Sequence, residues 1–190
     1  MGTEDIALMR VLPNMAVLVP ADATECALAI EAAYKYDGPV YIRTARPSTA
    51  KFLKKQPFEI GKAWVLREGH DLTIAACGIQ VYQSLLLAEI LSKQGIECEV
   101  INVSSVKPLD VNTIMYSAEK TKKVVTIEDH QVAGGLGGAV AEILGRIGVR
   151  QLRLGIKDEF GVSGQWEEVY AAMRIDLESL IRAVIDYYHE

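Results

Sequence analysis

Short apolar runs alternate with helix-length amphipathic segments along the chain, and most changeovers carry a proline, a glycine or an acidic cap. This rhythm constrains the fold more than any other feature. Parallel strands need long crossover connections, usually helical, so repeated strand–helix order predicts a mostly parallel, doubly wound α/β sheet. Residues 15–19 (MAVLV) read as a first buried strand, ended by Pro20. Asp22 stands three residues before Glu25, the spacing of a capping box, and opens the helix CALAIEAAYKY. Its periodicity assigns Cys26, Ala29, Ile30 and Ala33 to the buried face. Gly38-Pro39 then turns the chain into the strand VYIRTA. A single unit of this kind cannot cover both faces of its sheet, and it leaves an open edge that invites cover.

A second run of elements begins near Phe58. KAWVLR (62–67) and DLTIAAC (71–77) are strands on either side of a turn at Glu68-Gly69-His70. Gln80 to Gln94 forms a helix with Val81, Leu85, Ala88 and Leu91 inward, stopped by Gly95. CEVINV is the next strand, Asp110 caps a helix reaching about Lys120, and VVTIED (124–129) is a strand. HQVAGGLGG leads into the helix AVAEILGRIG, QLRLGI is a further short strand, and helices near 165–173 and 177–188 close the chain, the last capped by Asp176. The basic, turn-forming stretch KFLKKQP is the natural boundary, dividing the chain into units 1–57 and 58–190.

Half of the residues are apolar and 24% are charged, a balance suited to a compact core, and the net charge of −5 comes from interleaved acids and bases. No basic face for nucleic acid is expected. No apolar run approaches the roughly 20 residues needed to span a bilayer, and a membrane role is not expected. The three cysteines, Cys26, Cys77 and Cys98, are widely spaced among apolar neighbours. They read as reduced thiols of a cytoplasmic protein rather than as a disulfide framework or a metal site.

Several groups invite a chemical reading. Glu128, Asp129 and His130 end a strand together, but neighbouring residues point in different directions and no further Cys or His has metal-ligand spacing, so they read as groups bracing the next turn. Glycines 134, 135, 137 and 138 lie between a strand and a helix, yet GGLGG matches neither a dinucleotide fingerprint nor a P-loop, and close helix–sheet packing explains it. His70 in its turn and His189 at the terminus carry no assignment. Arg46, at the carboxyl end of a strand, reads on its own as a surface arginine.

Four stretches, EDIALMRVLPNMAVLVPADATE, GPVYIRTARP, IEDHQVAGGLGGAVAE and DEFGVSG, together resemble transketolases in order and spacing, above all the short archaeal and bacterial ones encoded as two halves. Deoxyxylulose-phosphate synthase and the beta subunits of pyruvate dehydrogenase are similar at greater distance. AAMRID after Tyr170 departs from the Tyr-Gly-Leu-type turn common in the family. The resemblance implies the end of a pyrimidine-binding domain followed by a whole transketolase C-terminal domain, and hence a chain that begins inside a domain. It implies thiamine diphosphate and magnesium in the complete enzyme, held by an N-terminal section that this chain lacks, with sugar phosphates as substrates and a homodimer as the assembly. Arg46 is then the residue that clasps the sugar phosphate, with Arg43 as its rival, while no residue here is assigned catalysis, cofactor or metal. Glu4, Asp5 and Arg10 fall on a helix behind the substrate-facing stretch, and Asp158, Phe160 and Gly161 in a loop serving architecture or domain contacts. The chain is expected to be inactive alone. The alternatives are a non-catalytic scaffold module of the same fold and a subunit of one of the related thiamine enzymes.

Overall fold

The computed structural model describes residues 2–54 and 57–190. Lys55 and Gln56, inside the stretch assigned to the unit boundary, lie outside the described residues. The first block contains α1 (Asp5–Val11), β1 (Ala16–Leu18), α2 (Ala23–Lys35) and β2 (Val40–Ile42). The second runs β3 (Trp64–Arg67), β4 (Leu72–Ala76), α3 (Gln80–Ser92), β5 (Cys98–Asn102), β6 (Ser105–Lys107), α4 (Val111–Thr121), β7 (Lys123–Gln131), α5 (Leu136–Leu144), β8 (Arg150–Ile156), α6 (Trp166–Ala172) and α7 (Leu177–His189).

The principal sheet has five strands in the order β3-β5-β4-β7-β8. β5, β4, β7 and β8 are parallel, and β3 closes one edge antiparallel to β5. The chain leaves β4 through α3 to β5 on one side, then returns through α4 to β7 on the other, which is the doubly wound arrangement expected. Successive residues of a strand face opposite ways, and both faces of this sheet are buried. Ala75, Ile101 and Val124 pack with α4 and α5 through Ile114, Ala118, Leu136 and Val140. Their neighbours Ile74, Val100 and Val125 pack with α3 and α7 through Leu87, Leu91, Leu180 and Val184. The acidic caps behave as their spacing implies: Asp22, Asp110 and Asp176 accept the backbone N–H of Glu25, Thr113 and Ser179. Among the described residues no helix is long and apolar enough to cross a membrane.

Two expectations need correction. The first concerns the open edge of the N-terminal sheet. Ser105–Lys107, too short and too polar to read as a strand, pairs antiparallel with β1, so the smaller sheet has the order β2-β1-β6 and borrows a strand from the second block. The second concerns α2. Its buried residues are Glu25 and Ala29, not the apolar stripe, and Ile30 is 54% exposed. Glu25 faces the second block, where its carboxylate accepts hydrogen bonds from Ala21 N (2.7 Å), Asn102 Nδ2 (2.8 Å) and Ser104 Oγ (2.6 Å). The helix is rotated so that this polar cluster is satisfied, because a buried carboxylate without partners costs more than a few exposed methyl groups. Burial raises the Glu25 pKa against those three bonds.

Candidate functional site

Open α/β sheets bind ligands beyond the carboxyl ends of their parallel strands. Here that crevice is filled by the protein itself. Val19 N donates to Ser104 O (2.7 Å), Gly78 N donates to Val19 O (3.0 Å), and Gln131 N donates to Thr3 O (2.8 Å), so the first block sits across the ends of β4, β5 and β7. Gly78 holds φ +58, and a Cβ there would meet Val19 Cγ1 at 3.0 Å, which is why the approach needs glycine.

Arg43 locks this contact. It follows the last residue of β2 and is 7% exposed. Its Nη1 donates to Asp129 Oδ1 (2.7 Å), Nη2 to Asp129 O (3.0 Å) and Gly2 O (3.3 Å), and Nε to Asp5 Oδ2 (3.1 Å). Asp5 also accepts from Tyr41 Oη (2.7 Å) and Asp129 from Tyr170 Oη (3.1 Å). Burial pulls the Arg43 pKa down, but Asp129 and then Asp5 outweigh it and hold the guanidinium above its ordinary value. Burial and the Asp129 charge push the Tyr170 phenol upward. All three guanidinium nitrogens of Arg43 donate to protein and the residue is buried, so the rival to Arg46 acts as a structural clamp.

Arg46, three residues on, is exposed. It lines a half-open cavity of about 470 Å³ whose other wall is the loop and helix at Val162, Ser163, Gln165, Trp166, Val169 and Tyr170. The volume falls within the range of small-molecule sites. The cavity lies between the two blocks, with its basic group from the β2 end and its aromatic wall from α6. Trp166 meets Tyr170 edge to face, with ring centroids 5.7 Å apart and planes at 88°. The hydrogen bond from the Tyr170 hydroxyl to Asp129 therefore ties the cavity wall to the Arg43 clamp. A guanidinium open to such a cavity presents a fork of donors that suits a phosphate or other oxyanion. Sequence reasoning singled out Arg46 but not Trp166 or Tyr170, which line the same cavity. The capping box of Gln165 and Glu168 marks the start of α6 without signalling that the helix shares a cavity with a residue 120 positions earlier in the chain.

The Glu128-Asp129-His130 triplet is dispersed as the alternation requires. Glu128 accepts the N–H groups of Leu136 (2.7 Å) and Gly137 (2.8 Å), closing the first turn of α5. Burial pushes its pKa up to about 7, against the pull of those two N–H groups. Asp129 belongs to the clamp. His130 is fully buried; its Nδ1 lies 2.8 Å from Gln131 O and its Nε2 accepts Ala7 N–H at 3.3 Å, which selects the neutral Nδ1–H tautomer. Burial lowers its pKa accordingly.

The glycine cluster serves the same packing. A Cβ on Gly135 would lie 2.0 Å from Glu128 Oε2, and one on Gly134 would lie 2.7 Å from Ala7 Cβ of α1. Gly137 faces Thr126 and Arg153, and Gly138 faces Arg10. Arg10 donates to Gly134 O (2.6 Å) and to Glu142 (3.0 Å), pinning α1 to this turn, while Glu4 stands exposed at the N-cap of the same helix. Asp158, Phe160 and Gly161 form an exposed loop beside the cavity, with Phe160 93% exposed. His70 is exposed and lies 3.8 Å from Asp71; His189 ends α7. Among the described residues no group of three or more His, Cys, Asp or Glu side chains is placed to hold a metal ion.

Comparison with known proteins agrees with this architecture. Residues 61–180 match the model of the transketolase C-terminal domain and residues 1–51 that of the transketolase pyrimidine-binding domain. The chain is 42% identical over 185 residues to a 6-deoxy-6-sulfo-D-fructose transketolase subunit of Clostridium sp., covering 96% of this chain and 58% of that protein. It is 35% identical over 185 residues to one subunit of the apulose-4-phosphate transketolase of Phocaeicola vulgatus, covering 96% of this chain and 59% of that one. Among solved structures, a split-gene transketolase described as an inactive β4 tetramer superposes with a TM-score of 0.95 at 38% identity, over 100% of this chain and 63% of the other. The chain thus spans somewhat over half the length of these two curated relatives.

Proposed function

The chain belongs to the transketolase family, and from that premise we propose that it forms the sugar-phosphate-holding C-terminal part of an enzyme transferring a two-carbon ketol unit between phosphorylated sugars. The observation that carries this reading is the position of Arg46, exposed in the loop four residues beyond the carboxyl end of the parallel strand β2 and open to a cavity of about 470 Å³. Arg46 binds the tail anion of the sugar through its paired N–H donors, which leaves the carbonyl end directed away from the guanidinium. The names of the two relatives support an anionic tail, a sulfonate in one and a phosphate in the other.

Among the described residues the carboxylates do not fit the magnesium that would hold the cofactor's diphosphate. The carboxylates behind the cavity are engaged, Asp129 with Arg43 and Tyr170 and Asp5 with Arg43 and Tyr41. Thiamine diphosphate, which supplies the carbanion chemistry where it binds, and its magnesium are therefore assigned to an N-terminal section on a partner. In this reading residues 1–57 are the end of the pyrimidine-binding domain and 58–190 the C-terminal domain. The chain is inactive by itself and associates with copies of itself in the cytoplasm. The split-gene relative, an inactive tetramer, supports both the inactivity and the self-association. Free, separated thiols support the cytoplasm.

The test is ketol transfer from xylulose 5-phosphate to ribose 5-phosphate with thiamine diphosphate and magnesium, by the chain alone and in the assembly completed with the N-terminal section and the remainder of the pyrimidine-binding domain. Turnover is expected only in the assembly. Arg46→Ala in that assembly should raise KM for phosphorylated substrates roughly 10- to 100-fold, the loss of a charge-assisted bond of about 1.5–3 kcal/mol. Unphosphorylated substrates should be unaffected. Turnover by the chain alone, or an equal effect of the variant on both substrate classes, would refute the proposal.

A further inference from the structure

We propose that Trp166 is a second binding determinant of the same cavity, an aromatic face against which the carbon chain of an Arg46-held sugar phosphate packs; the inference rests on the phosphate reading of Arg46. The half-open cavity measures about 470 Å³, in the range of sites for whole small molecules. It is therefore much larger than one oxyanion, and a ligand anchored at Arg46 extends over the remaining wall. Pro47, Val162 and Val169 on that wall are apolar but not aromatic. Tyr170 is 2% exposed and its hydroxyl is committed to Asp129. Trp166 is 38% exposed and lines the cavity that Arg46 also lines, its one large aromatic side chain not buried.

The indole is also held in place. Tyr170 packs against it at 88° and is itself fixed through Asp129 and Arg43. A rigid aromatic face beside an anion-binding arginine favours an amphipathic ligand, with its charge on the guanidinium and its C–H groups on the ring. Such a contact discriminates a sugar phosphate from a free phosphate, which Arg46 alone does not.

The chain has two tryptophans, Trp64 on β3 and Trp166, so each reports separately in a heteronuclear spectrum. Ribose 5-phosphate is expected to move the Trp166 indole N–H and the Arg46 Nε–H resonances together, with Trp64 still. Inorganic phosphate is expected to move Arg46 only. Trp166→Leu should weaken ribose 5-phosphate binding roughly five- to tenfold and leave inorganic phosphate unchanged, and Trp166→Phe should fall between. The backbone spectrum of each variant verifies its fold. Movement of Arg46 without Trp166, or equal ribose 5-phosphate affinity in Trp166→Leu, would overturn the inference and leave the phosphate reading standing. An Arg46 resonance unmoved by either ligand would overturn the phosphate reading itself, and the Trp166 role with it.

Discussion

Replacing Arg43 by Met tests whether the clamp between the blocks holds the fold. Met keeps most of the apolar stem and removes the guanidinium. Asp129, whose side chain is 1% exposed, then loses its 2.7 Å ion pair and retains only the Tyr170 hydroxyl. Asp5 keeps Tyr41 and, at 20% exposure, partial access to water. Stranding one buried charge costs about 3–5 kcal/mol, a large part of the roughly 5–15 kcal/mol that stabilises a domain. At roughly 2–4 °C per kcal/mol for a chain of this size, the melting temperature should fall by about 6–20 °C. Calorimetry at fixed protein concentration measures this. Arg43→Lys, which keeps the charge but not the fork, should lie between Met and the parent. The double variant Arg43→Met/Asp129→Asn should be less destabilised than the two single losses added together, because the fully buried Asp129 charge is no longer stranded. A melting temperature for Arg43→Met within about 2 °C of the parent would refute the argument.

Three further outcomes can be checked. Glu128→Gln mimics the protonated parent, since each offers one carbonyl acceptor to the two N–H groups at the start of α5, and at pH 5 the two should differ by no more than about 1 kcal/mol. Because the folded-state pKa of Glu128 is raised to about 7, stability from the protonated parent is complete below its unfolded value and lost as pH rises through 7. The parent should therefore lose stability relative to the variant from pH 5 to pH 9, and a parent that gains on the variant over that range in denaturant titrations would contradict this. Gly135→Ala forces a Cβ to within 2.0 Å of Glu128 Oε2 and should destabilise by about 1–3 kcal/mol in the same titrations, whereas Gly148→Asn, in open space at φ +66, should be tolerated. In native thiol titration Cys26 should react alone, since burial pushes Cys98 up to about 12 and Cys77 well above its ordinary value. Rapid labelling of all three thiols in the folded protein would argue against this packing.

The strand–helix alternation, the three aspartate caps and the glycine packing were legible because they are local: period, cap spacing and turn chemistry lie within a dozen residues. What escaped is long-range and polar. No periodicity announces that α2 turns Glu25 inward, since that choice depends on Asn102 and Ser104 some 77 and 79 residues away. Arg43 and Arg46 are the same residue type in one loop, and only the positions of Asp5 and Asp129 make one a buried clamp and the other an open donor. β6 went unread because its three residues become a strand only when β1 is alongside. The cavity wall at Trp166 was hidden for the same reason.

The borrowed strand bears on what the covalent linker between the blocks is for. With β6 paired to β1 and Arg43 seated on Asp129, the blocks are joined by a ladder and an ion pair as well as by the chain. Severing the peptide near residue 57 would leave those non-covalent joints in place. The linker thus works as a tether that keeps two interlocking parts at high local concentration, not as a hinge about which they swing. Motion between the blocks would have to begin with an unzipped strand.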